Sequence, residues 1–130
     1  MKLGVSLEAF RVPFRTALAR ASKLGVSGVQ WDAIGELAPQ RLSATGRREI
    51  SYLLRSYNLG LTALVCPMRQ GLDVAVDLEP RLARIRDVMS LSFELGARIV
   101  IVDQGAIRTV DAGQVLIAGA ASTQRVILER

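Results

Sequence analysis

Apolar residues fall into two alternating patterns along this chain. The first is a short apolar stretch read as a strand, at residues 3–7, 29–31, 61–65 and 99–102, the last of them an unbroken β-branched run. Such runs fit strands buried on both faces, as in a parallel sheet covered by helices. The second is a longer stretch with apolar residues every three or four positions. Phe14, Ala17, Leu18, Ala21 and Leu24 make one such stripe, Ile50, Leu53, Leu54 and Tyr57 a second, and Leu82, Ile85, Val88, Met89 and Leu95 a third. Each predicts a helix with one buried face. Arg15, Arg20, Lys23, Arg47, Arg48 and Glu49 lie off the stripes and are expected in water. The passage from helix to strand repeats, in Lys23-Leu24-Gly25-Val26-Ser27-Gly28-Val29, Tyr57-Asn58-Leu59-Gly60-Leu61 and Glu94-Leu95-Gly96-Ala97-Arg98-Ile99. In each a glycine stands near the helix end, where the left-handed conformation costs it nothing. Repetition of this passage predicts a βα unit used several times over.

Punctuation residues set the boundaries. Pro13 opens the first helix, where a missing N–H is harmless. Ser43 or Thr45 is placed to cap the second helix, which runs to about Tyr57, and Asn58 with Gly60 ends it. Asp77 is placed to cap the third helix, with Glu79 in its first turn and Pro80 tolerated there. Residues 8–12, 33–42 and 66–76 are read as loops following strands. Two architectures fit this order, an open doubly wound sheet and part of a (β/α)8 barrel. A dinucleotide-binding sheet calls for a glycine-rich turn after its first strand. Here that turn is Glu8-Ala9-Phe10-Arg11-Val12-Pro13, without glycine. The expected fold is therefore α/β, four βα units of a TIM (β/α)8 barrel, an incomplete or half barrel over residues 1–105. Residues 106–130 form a divergent tail, in which Val115-Leu116-Ile117-Ala118-Gly119-Ala120-Ala121 has neither helical stripe nor clear caps. Two origins of the tail stay open. One is a shifted reading frame or misplaced gene end; the other is a genuine tail with a fourth helix and a short strand at residues 125–128.

Composition narrows the class. With 130 residues, half of them hydrophobic, the chain has the size of one domain with a real core. No apolar run approaches the roughly 20 residues that span a bilayer, and the start, Met1-Lys2-Leu3-Gly4-Val5-Ser6, lacks a signal-peptide core. The single Cys66 cannot form an internal disulfide. A cytoplasmic protein with no membrane partner is expected. The net charge of +5 is carried by arginine, Lys2 and Lys23 being the only lysines. The arginines are dispersed over helices without aromatic stacking residues, so no nucleic-acid partner is expected.

In a barrel, chemistry sits at the C-terminal ends of the strands. The polar groups expected there are Glu8, Asp32, Cys66, Arg69, Asp103 and Gln104. Asp32 and Asp103 form a candidate acid–base pair, since burial can tune two carboxyls apart; strand-end aspartates also serve as simple caps. Trp31 is a candidate wall for a sugar site, or else core packing against a helix. Gln104 is placed to hydrogen-bond a substrate hydroxyl, and Arg69 to pair with a phosphate or merely to solvate its loop. Cys66 has no histidine to activate it and is read as a small apolar filler. The candidate substrate-binding residues are thus Trp31, Asp32, Asp103 and Gln104, with no catalytic residue and no metal ligand assigned.

The segment Leu24-Gly25-Val26-Ser27-Gly28-Val29-Gln30, followed by Asp32-Ala33 and then Leu42-Ser43-Ala44-Thr45-Gly46-Arg47-Arg48, resembles the start of sugar phosphate isomerases/epimerases, the xylose isomerase-like TIM barrels. Leu53-Leu54-Arg55, Gly71-Leu72-Asp73 and Leu95-Gly96-Ala97-Arg98 continue the likeness over residues 1–105. The resemblance implies a barrel that moves a proton between adjacent carbons of a sugar or sugar phosphate. It also implies a divalent metal, held in the complete family barrel by glutamate, aspartate and histidine from later strands. This chain has no histidine and only four such strands, so no cofactor is assigned to it. The chain is expected to be inactive by itself, as a fragment of an isomerase. Its expected partner is a missing second half-barrel or a second copy, with a small sugar-like substrate once completed. The alternative is a non-catalytic half-barrel that homodimerises or acts as a binding module.

Overall fold

The computed structural model describes residues 2–72, 74–106 and 123–129, the last four of the middle segment and the final segment as backbone only. Four parallel strands alternate with three helices: β1 (Gly4–Ser6), α1 (Phe14–Lys23), β2 (Gly28–Asp32), α2 (Ala44–Ser56), β3 (Gly60–Pro67), α3 (Leu78–Glu94) and β4 (Ile99–Ala106). They pair in sequence order, β1-β2-β3-β4, each parallel to the last. This is the α/β half-barrel arrangement expected from the chain pattern. A fifth strand, β5 (Thr123–Glu129), lies antiparallel against β4 and spans the short strand placed at residues 125–128. It makes the sheet mixed and covers one of the two edges that a four-unit sheet would leave open. The fourth-helix alternative, the apolar run at 115–121 and Asp73 lie outside the described residues.

The core is on the helix side of the sheet. Val29 of β2 is buried opposite Leu61 of β3, Trp31 opposite Leu64 and Leu64 opposite Val100 of β4, and Cys66 opposite Val102. Against them pack Ala17, Leu18 and Ala21 of α1, Ile50 and Leu54 of α2, and Ile85, Val88 and Leu91 of α3. The three helical stripes are thus correct in outline. Leu24 is the exception: it is 64% exposed because it is the C-cap, where the chain turns away through Gly25 at φ +75°. Gly96 does the same after α3 at φ +94°. In the middle repeat the left-handed residue is Asn58 (φ 55°), and Gly60 instead begins β3.

Other boundaries shift for local reasons. Leu7 leaves the strand for a short 3-10 turn, Leu7–Phe10, and is buried there. Ser43 rather than Thr45 caps α2, its Oγ accepting from Gly46 N–H at 3.1 Å. Asp77 occupies the N-cap position of α3 but is left-handed (φ 54°), and its side chain makes no capping bond. Both β3 and β4 run beyond their expected ends, so Cys66, Asp103 and Gln104 belong to strands rather than loops. The β2–β3 register shifts at Thr62, an extra residue whose hydroxyl donates to Val29 C=O at 3.1 Å. Arg47, expected in water, is mostly covered. It donates to the carbonyls of Leu42 and Pro39 and pairs with Glu94 at 2.8 Å, tying α2 to its entry loop and to the end of α3.

Candidate functional site

All four parallel strands point their C-terminal ends the same way, so the segments after β1, β2 and β3 gather on one rim. Glu8 lies in the 3-10 turn after β1. Its Oε1 accepts the backbone N–H of Asp32 at 3.1 Å, which ties the first rim segment to the end of β2. Asp32 is half-buried at that strand end. Beyond it Ile34 projects from the sheet, 45% exposed.

After β3 the rim opens into a cavity of about 670 Å³, lined by Ile34, Pro67, Met68, Arg69, Gln70, Arg81 and Arg84. Its floor is apolar, with Met68 buried in the core. Its polar wall has three guanidinium groups and an amide, and no carboxylate lines it among the described residues. Arg81 is already engaged. It donates to the carbonyls of Gly71, Val74, Val76 and Asp77, so one side chain gathers carbonyls from both ends of the segment before α3. These are neutral acceptors, which satisfy the N–H groups but leave the positive charge uncompensated. Arg84, one helical turn further along α3, is half-buried, and Arg69 is exposed at the mouth. The nearby Cys66 thiol is pushed up by burial and pulled partly back by the Arg84 charge. It stays a protonated core group, as the filler role predicts.

The residues expected to bind substrate separate. Trp31 is fully buried on the helix side, where its ring meets Phe14 edge-on at 4.9 Å, so it is core and not a wall of the site. Its neighbour Asp32 falls on the opposite face because side chains alternate along a strand. Asp103 pairs in register with Pro67, and Asp32 with Val65, so β3 separates the two aspartates. Two strand spacings across the sheet and two residues along it put their backbones about 12 Å apart. Gln104 follows Asp103 within β4. Arg69 does reach the cavity, as its position after strand three suggested. Arg81 and Arg84 were missed, because on helical spacing alone they read as solvated outer positions. Their only sequence signal is their place in the first turns of the helix that follows the longest early loop.

The divalent metal that the resemblance implies does not fit these residues. The chain has no histidine, and no group of three or more Cys, Asp or Glu among the described residues is placed to hold an ion. Among the described residues no helix is long and apolar enough to cross a membrane.

Neither a scan against protein-family models nor a search of curated proteins finds a match. Solved structures do match. One is the probable 3-DHS dehydratase AsbF, involved in petrobactin synthesis, from Bacillus anthracis, with TM-score 0.55, 19% identity, 75% of this chain and 36% of that chain covered. Another is protein SMc04130 from Sinorhizobium meliloti 1021, with TM-score 0.55, 24% identity, 81% of this chain and 37% of that chain covered. The chain therefore spans little more than a third of the structures it matches. At these identities the likeness is one of fold alone, that of an α/β half barrel within a larger protein.

Proposed function

We propose that this chain supplies one half of the ligand-facing rim of a barrel that handles a sugar or sugar phosphate. The reaction of the completed barrel is proton transfer between adjacent carbons, and the chain by itself does not turn substrate over. The observation that carries this is the gathering of Glu8, Asp32 and the arginine-lined cavity at the C-terminal ends of sequentially ordered parallel strands. That end is where barrels place their chemistry. Dehydration, the activity in the printed name of one fold neighbour, a probable 3-DHS dehydratase, commonly removes a proton from carbon, which is the same class of step. The resemblance in residues 1–105 adds the sugar phosphate class.

The test is solvent-deuterium incorporation beside the carbonyl of pentose and hexose ketose phosphates, followed by NMR with Mg²⁺ or Mn²⁺ present. Background incorporation with the chain alone, rising when a chain carrying the remaining strands is added, is the expected result. Turnover by the chain alone would contradict the half-site assignment. A second function, a binding module that needs no partner, is favoured by one observation: the cavity is walled by this chain's own residues. It predicts sugar phosphate binding at the rim that no second chain strengthens.

A further inference from the structure

We propose that the cavity between the β3–α3 loop and the first turns of α3 is an oxyanion subsite, in which Arg84 and Arg69 hold a carboxylate or phosphate group and Gln70 adds an amide donor. This deepens the function above by naming the group that the rim grips, and it rests on that rim being ligand-facing. Three features carry it. The cavity is large enough, about 670 Å³, for a small metabolite. Its polar lining consists of three guanidiniums and an amide with no acidic residue among the described residues, whereas the ion pairs elsewhere each join an arginine to a glutamate, as in Arg15–Glu49, Arg47–Glu94 and Arg86–Glu79. Finally, Arg81 is held by four backbone carbonyls. It therefore fixes the loop that carries the mouth and adds positive potential without competing for the ligand. It is a positioning residue. A guanidinium offers paired N–H donors that match two oxygens of a carboxylate or phosphate, and the apolar floor of Ile34, Pro67 and Met68 lowers the local dielectric and strengthens that contact.

The test titrates the full chain with inorganic phosphate and, separately, with malonate at fixed ionic strength, followed by backbone-amide NMR and calorimetry. The expected result is saturable binding with shifts confined to residues 68–70 and 81–84. Arg84→Gln and Arg69→Gln should each weaken it about tenfold, Arg84→Lys should lose less, and Arg98→Gln, at the opposite end of the sheet, should change nothing. Binding of phosphate but not malonate identifies a phosphate ester as the natural group; the reverse identifies a carboxylate. If Arg84→Gln fails to fold, Arg69→Gln in the exposed mouth decides. No saturable binding of either anion, or equal binding by wild type and both glutamine variants, overturns the subsite. Failure of deuterium incorporation with anion binding intact would overturn the reaction and leave the subsite standing.

Discussion

At the scale of single residues, two buried side chains carry measurable consequences. Trp31 is wholly enclosed, yet its indole N–H has no hydrogen-bond partner. Burying an unpaired donor costs about 1–3 kcal/mol, which offsets part of what the ring contributes by packing on Phe14. Trp31→Ala is therefore expected to cost about 3–5 kcal/mol in urea denaturation. Trp31→Phe, which keeps most of the ring and removes the orphan donor, should cost well under half of that; equal losses would contradict the placement. Cys66 is likewise fully buried, and desolvation raises its thiol above the ordinary range, more than the Arg84 charge lowers it. The sign follows from linkage: the folded state prefers the neutral thiol. Its contribution is whole below the ordinary thiol pKa and is lost as pH rises through the raised value. Iodoacetamide should label Cys66 slowly in the native protein at neutral pH and rapidly in urea, and Cys66→Ala should flatten the alkaline loss of stability. The filler role of Cys66 was legible from the absence of histidine. The burial of Trp31 was only half legible, since alternation says that Trp31 and Asp32 face opposite ways but not which way faces the helices.

Elements are held by a few polar side chains that hydrophobic periodicity does not reveal. Helix stripes, the glycine turns at Gly25 and Gly96 and the Ser43 cap follow from spacing and local chemistry, and they were readable. Arg47 and Arg81 were not, because their work is to satisfy carbonyls of loops whose shape is set by the tertiary fold. Arg47 joins three segments through Leu42, Pro39 and Glu94. Arg47→Ala should cost about 1–2 kcal/mol by thermal denaturation, more than a typical exposed pair, whereas Arg86→Ala, whose pair with Glu79 is exposed, should cost less than about 0.5 kcal/mol. Arg81→Met should leave the sheet intact and speed amide exchange across residues 71–77, where its carbonyl partners lie; unchanged exchange would show that the loop holds its shape without it. The Thr62 register shift was invisible for the same reason, being a fit between two strands rather than a property of one.

For the whole molecule, strand order and parallel sense were legible because each βα return leaves its own mark. The covering of one edge was not: β5 pairs with β4 through backbone hydrogen bonds, and edge pairing has no signature in a single strand. This changes the expectation for assembly. A second half-barrel that continues the sheet beyond β4 must first displace β5. Proline at Val126, which pairs with Val102, is poorly tolerated inside a paired strand. Val126→Pro should expose the β4 edge and raise association in light scattering at fixed concentration; an unchanged mass would mean that β5 does not guard that edge.

The most direct test of the account is to map where a sugar phosphate binds. Backbone-amide NMR of the chain, titrated with ribulose 5-phosphate, is predicted to move resonances at Glu8, Asp32, Ile34 and residues 68–70, all at the C-terminal ends of the parallel strands. Shifts clustered instead at the opposite end, around Ser27, Leu59 and Arg98, or no saturable shifts at all, would contradict the assignment of this rim as the functional face.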